Sequence, residues 1–373
     1  MSRAVILNVL KIALAIVLIW WVVDNAGGPE TIVNALSGID RGGWVLGLVL
    51  VLAANVLAML RWHLLMRSVG LNSTPFVALR LGFLGVFFNN VVPGLTGGDL
   101  VKAVYVTREN PEQRASAVVS VIVDRAIGIV ALAVIAAVVI PFDMQRYGAA
   151  AVGIYGFLGA AAVGALFTLS RRMKAKLKSL FGLSATGGGK IAGLLSKLDQ
   201  AVSMYRDRTQ VVVVAMIMSL TVHMLIIVAL SVFGAALSDG GLAALSTAEV
   251  AASAQSVDVE TRSAQLEVFR GLGLDVYCSV VPIIMIISAL PIAPAGWGVG
   301  EVAFVHFFGT VGVTDVDSTA LSFTYRLTAM LVSLLGGVFF VLDRRRVLEA
   351  STAADADPDG DGFSSAPPDP DSA

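Results

Sequence analysis

The chain has 373 residues, of which 57% are hydrophobic and only 14% charged, with a mean hydropathy of +0.83 and a formal net charge of −1. That composition lies outside the soluble globular range and marks an integral membrane protein. The near-neutral charge leaves no basic surface for nucleic acid, and the single cysteine, Cys278, excludes an internal disulfide and a thiolate metal centre.

Apolar segments fall at 5–23, 43–60, 117–141, 149–170, 210–235, 276–292, 296–313 and 319–342, most of them near the ~20 residues that cross hydrocarbon. The expected fold is all-α, a polytopic helical bundle of about eight spans in a membrane domain covering residues 1–349. The first segment follows Arg3, and Asp24-Asn25-Ala26-Gly27-Gly28-Pro29 lacks a small-residue cleavage pattern, so it reads as a retained helix. Between Thr74 and Val106 the apolar run stops at Asn89-Asn90 and resumes only after Gly97-Gly98, the pattern of a re-entrant helical hairpin.

Residues 183–208 place Ile191, Leu194, Leu195, Leu198, Val202 and Tyr205 at helical spacing among lysines, which predicts a cytoplasmic amphipathic helix. The Gly-rich start of that stretch is no phosphate loop, because Ser184 and Ile191 stand where the first glycine and the hydroxyl residue belong. Residues 236–270 read as a polar extracytoplasmic insert. Residues 350–373 form an acidic tail expected to be disordered. Its run Asp355 to Gly360 echoes a calcium loop but has Ala366 at the twelfth position, so no metal is expected there.

The basic run from Arg171 to Lys178, followed by Lys190, Lys197, Arg206 and Arg208, should face the cytoplasm. Arg61, Arg67, Arg108, Arg114 and Arg344-Arg345-Arg346 fall on the same side if the hairpin is re-entrant, which places both termini in the cytoplasm.

Two proline-led, glycine-rich breaks end in carboxylates: Asn89 to Asp99, with Asn90, Pro93, Gly97 and Gly98, and Pro291 to Glu301, with Gly296, Trp297 and Gly298. Broken helices at membrane depth are tolerated where protein or water satisfies the freed backbone, and such paired breaks can mark inverted repeats around a midplane site. Asp99, Lys102, Asp124, Arg125, Glu301 and Arg326 are charges inside apolar stretches, each costing ~2.5–3.5 kcal/mol at mid-helix without a partner or water. Asp99 and Lys102, three apart, can pair locally. Three acids and three bases allow complete neutralisation.

The bland reading makes these charges the cement of the bundle. The functional reading uses the helix starts at the breaks as anion sites, with Lys102, Arg125 and Arg326 as donors to a phosphodiester. Asp99, Asp124 and Glu301 would then hold a proton or orient the bases. His223 and His306 read as packing residues and His63 as interfacial. Lys11 snorkels, and Trp20, Trp21 and Trp44 belong to an aromatic belt.

These residues resemble the flippase-like transmembrane region of lysylphosphatidylglycerol synthases. The likeness is carried by Asn90 to Lys102, by Val123-Asp124-Arg125-Ala126-Ile127-Gly128, by Leu290 to Glu301 and by Arg326, and it spans about residues 5–345. The resemblance implies a bacterial or archaeal inner-membrane protein that moves lipids or lipid-linked sugars between leaflets. No cofactor and no catalytic residue is expected in this region. The lysine-transferring cytosolic domain of full-length synthases is not expected here, so a separate lipid-modifying enzyme would be a partner. Lys102 stands where arginine is common, Ala295 and Trp297 replace Gly and Leu, and Gly300 replaces a frequent arginine; these changes weaken a bidentate phosphate clamp.

The expected function is translocation of a lipid headgroup, anionic or phosphate-bearing, through a polar cleft made by the two breaks. A small-molecule or ion secondary transporter is the alternative. An intramembrane lipid-modifying enzyme fits less well, since no metal-ligand cluster or Ser-His-Asp set is visible.

Overall fold

The computed structural model describes residues 3–91, 97–169, 204–205, 208–251, 256–290 and 292–356, and every regular element among them is helical. Helix α1 (Arg3–Asn25) turns at Gly27 and Gly28, both at positive φ, into the short α2 (Pro29–Ser37), whose first residue is a proline. Asp40 then caps α3 (Arg41–Ser68), its Oδ2 accepting the Gly43 N–H at 2.6 Å. Next come α4 (Pro75–Val91), α5 (Gly97–Glu109), α6 (Arg114–Val139) and α7 (Met144–Leu169). After the undescribed stretch follow α8 (Thr209–Ala251), α9 (Ser256–Arg270), α10 (Leu274–Ser288), α11 (Val299–Gly309) and α12 (Asp315–Ala356).

Among the described residues, four helical stretches are long and apolar enough to cross a bilayer: Arg41–Ser68, Pro111–Phe142, Thr209–Leu245 and Asp315–Leu342. The bent pairs α1–α2 (75°) and α9–α10 (84°) raise this to six. Of the other expected segments, 149–170 runs to the edge of the described residues, and 296–313 forms a shorter helix for a local reason. In the segment 296–313, positive-φ Gly296, Gly298 and Gly312 confine the helix to the 11 residues of α11. The stretch 236–270, read as a polar insert, is largely helical: α8 runs on to Ala251 and α9 folds back against it. Most of 183–208 and the tail from residue 357 lie outside the described residues. The closing helix continues to Ala356, past the boundary at 349 drawn from composition.

Within a bilayer, lipid tails are as apolar as leucine, so helices associate by close packing rather than by leaving water. The contacts here follow that rule. Helices α3 and α8 pack along much of their length, and a Cβ on Gly47 would overlap the Phe233 ring. Helix α12 lies on α4 where a Cβ on Gly336 would overlap the Phe83 carbonyl. Phe76, Phe83 and Phe88 meet Phe339 and Phe340 across the same interface. Large apolar side chains such as Trp20, Val138 and Val152 point outward, as a lipid-facing surface requires.

Helices α4 and α5 form an antiparallel pair closed near residues 89 and 98. The Gly98 N–H donates to Asn89 Oδ1 at 2.8 Å, Lys102 lies against Gly85, and Arg80 pairs with Glu109 at the open end. A Cβ on Gly98 would overlap the Gly85 carbonyl, so glycine sets the closeness of this hairpin. Pro93 falls outside the described residues.

Candidate functional site

The second break is held shut by its own charges. Gly296 and Gly298 have φ of 70° and 78°, and Ala295 also sits at positive φ (51°), so the chain reverses sharply before α11. Glu301, at 0% exposure, accepts the Gly298 N–H on Oε2 at 2.6 Å and thereby caps the helix it belongs to. The anion site expected at this helix start is therefore filled by the chain's own carboxylate. Arg326, from α12, forms an ion pair with Glu301 and donates to the Gly296 carbonyl at 2.6 Å and the Ala295 carbonyl at 3.3 Å. Its guanidinium also lies 4.6 Å from the Trp297 ring centroid. Gly300 leaves the room this requires, since a Cβ there would overlap Arg326 Nη2 and stand 3.0 Å from Ser288 Oγ. The glycine that departs from the family pattern thus makes space for the arginine of another helix.

A cavity of about 260 Å³ opens beside this clamp, lined by Asn90, Ser288, Ala295, Trp297, Tyr325 and Arg326 and by apolar side chains such as Met285 and Phe304. The last turn of α4 and the second break therefore share one space: the former contributes Asn90, and the latter Ala295 and Trp297, with Arg326 of α12 beside them.

The remaining expected residues form a second cluster around α5 and α6. Asp99 pairs with Arg125, Oδ2 to Nε at 2.5 Å, and not with Lys102 as the i, i+3 spacing suggested. Asp124, 6% exposed, is paired with Arg61. Arg61 Nε donates to Asp124 Oδ1 at 2.9 Å, Nη1 to Ser219 Oγ at 2.7 Å, and Nη2 to the Asp124 carbonyl at 3.3 Å. Sequence reasoning placed Arg61 with the cytoplasmic bases at a helix end. It is 6% exposed and joins α3, α6 and α8.

Lys102 has no carboxylate within ion-pair distance among the described residues. Its ammonium lies 5.3 Å from the centroid of the Trp62 ring, which in turn donates its Nε1–H to Ser120 Oγ at 3.2 Å. The expected parity of three acids and three bases fails because Arg61 joins the set as a fourth base. His223 bonds the Gly128 carbonyl at 2.9 Å, and His63 bonds Ser73 Oγ at 3.1 Å. Trp44, read as part of the aromatic belt, donates to Thr328 Oγ1 at 3.2 Å.

Lipid-facing apolar helices around paired internal charges define a multi-pass helical membrane protein. Residues 8–257 match the family described as the lysylphosphatidylglycerol synthase TM region, more than half of the sequence, and the chain belongs to that family. The match ends before the second break. The chain is also similar to the UPF0104 membrane protein PH1989 of Pyrococcus horikoshii, 24% identical over 131 residues that cover 35% of this chain and 38% of that protein. The chain thus aligns with well under half the length of this relative.

Proposed function

We propose that the protein moves a lipid headgroup between leaflets of a bacterial or archaeal inner membrane, through the cavity shared by the two breaks, without catalysing a chemical change. The carrying observation is that Asn90 from one break and Ala295 and Trp297 from the other line one cavity, mostly apolar but carrying the polar side chains of Asn90, Ser288, Tyr325 and Arg326. Polar groups at membrane depth are costly unless they serve a passage or a partner. A headgroup entering that space would meet the amide of Asn90, the hydroxyls of Ser288 and Tyr325 and the edge of Arg326, while its tails remain in hydrocarbon. In this reading the α4–α5 hairpin is re-entrant and both termini are cytoplasmic. Membrane lipids are the partners, and a separate enzyme would modify them.

The test is translocation in reconstituted vesicles by a variant that fills the cavity without touching an ion pair. Ala329→Trp puts bulk into the lining, whereas Val152→Trp adds the same bulk on an outward face that is 77% exposed. Loss of movement in the first and retention in the second is the expected pattern. Equal movement in both rejects the cavity as the route.

A further inference from the structure

We infer that the passage continues from the cavity along α12, past Ser322, Thr319 and Ser318, and that this half of it is shut in the structure, with α9 tied across its end. The inference rests on the headgroup-moving reading above and adds three lining residues and a gate.

Helical spacing sets the stripe. Ser318, Ser322, Tyr325 and Ala329 follow one another at steps of four, three and four residues, which puts them on one face of α12. Tyr325 and Ala329 line the cavity. The same face runs on from Tyr325 to Ser318 for about 10 Å at 1.5 Å per residue. Thr319 stands at its border, three residues before Ser322 and seven before Arg326.

Ser318, Thr319 and Ser322 are all at 0% exposure, and among the described residues their hydroxyls have no hydrogen-bond partner. The rest of the helix behaves differently. Thr324 donates to the Ala320 carbonyl at 2.8 Å, and Thr328 and Ser333 donate to the Thr324 and Met330 carbonyls at 2.7 Å, the usual way a helical hydroxyl is satisfied. Three hydroxyls shut away unpaired make the closed packing costly. Parting this face from its neighbours gives each of them water or a polar headgroup atom. Opening thus recovers what closing gives up, the near balance that a two-state interface needs.

What holds the face shut lies at the start of α12. Asp317, 2% exposed, accepts both terminal nitrogens of Arg262 of α9, at 2.7 and 2.6 Å, and the Thr314 hydroxyl at 2.6 Å. A Cβ on Gly312, in the turn before α12, would stand 3.7 Å from Val268 of α9. A forked ion pair therefore fastens α9 across this end, and its arginine side chain is 29% exposed, within reach of water.

The test puts a thiol on the stripe in a Cys278→Ser background. In reconstituted vesicles Ser322→Cys should react with a membrane-impermeant thiol reagent. Adding Arg262→Met with Asp317→Asn, which unties α9 without stranding a charge, should speed that reaction about tenfold, equivalent to about 1.4 kcal/mol. Ser333→Cys, at a position 1% exposed whose hydroxyl is bonded within its own helix, should stay unreactive in both chains and so shows that they remain folded. Ser318→Ala combined with Ser322→Ala should raise the unfolding midpoint in detergent yet slow lipid movement several-fold, opposite directions that a purely structural role would not produce. Absence of labelling at 322 in both chains, or a rate that untying leaves unchanged, overturns the gate and leaves the translocation reading standing. A lowered midpoint in the double alanine variant overturns the gate as well. Labelling at 322 that rises on untying, in a protein that moves no lipid, upholds the gate and overturns the translocation reading.

Discussion

Replacing Arg326 by methionine tests whether the second break is held together by its ion pair. Glu301 would remain at 0% exposure with no cation, and the Gly296 and Ala295 carbonyls would lose their shared donor. Breaking a buried pair by removing one partner costs about 3–5 kcal/mol. The two orphaned carbonyls place the expected loss in the upper half of that range. Cys278 is the chain's single thiol and is partly buried in α10, so a thiol-reactive fluorophore can follow unfolding in detergent on heating. At about 2–4 °C per kcal/mol, the apparent midpoint should fall by roughly 10 °C or more. Arg326→Met combined with Glu301→Gln should recover over half of the loss, because the second change removes the stranded charge. Arg270→Met serves as the control, since its pair with Asp239 is half-exposed (53% and 46%) and worth about 0–1 kcal/mol. A single variant that melts no earlier than this control, or a double variant no better than the single, refutes the clamp.

Gly300→Ala should displace Arg326 by overlap, lowering the midpoint by the equivalent of about 1–3 kcal/mol and reducing vesicle translocation, while Gly309→Ala, which has open space, should do neither. Arg61→Met should strand Asp124 and cost about 3–5 kcal/mol in the same thiol assay; Ser219→Ala, which removes one charge-assisted bond at 2.7 Å, should cost about 1.5–3 kcal/mol. In a Cys278→Ser background, a cysteine at 329 should react with a membrane-impermeant thiol reagent from the cavity, whereas one at Leu321, 0% exposed, should not. Absence of labelling at 329 would show that the cavity does not admit water. Gly98→Ala should force α5 away from the Gly85 carbonyl and destabilise the hairpin, again by about 1–3 kcal/mol on heating.

The helical class and the principal helices were legible because hydropathy reports solvent directly. The runs at 43–60, 117–141, 210–235 and 319–342 became the cores of α3, α6, α8 and α12. The two breaks were legible too, since proline and glycine mark them whatever the tertiary context. Pairing was not. Asp99 and Lys102 share a helix face, but Arg125 of the neighbouring helix reaches the carboxylate, and nothing local encodes that approach. Arg61 was misplaced because Arg61-Trp62-His63 at the end of an apolar run resembles an interfacial cap. The missed signal was the continuation of apolar residues through Leu64, Leu65 and Met66, which keeps α3 helical to Ser68 and carries Arg61 inside. The helix start at Glu301 looked open to a ligand because sequence does not show a side chain folding back onto its own first turn.

Helix α1 bears directly on the second break. A Cβ at Gly298 would stand 2.7 Å from Leu18 Cβ and 2.9 Å from the Ala15 carbonyl, so the bend is wedged against a helix whose outer face meets lipid. Tilt in such a helix responds to hydrocarbon thickness. Thickening or thinning the bilayer would therefore push on the bend at Gly298 mechanically, through Ala15 and Leu18 of α1.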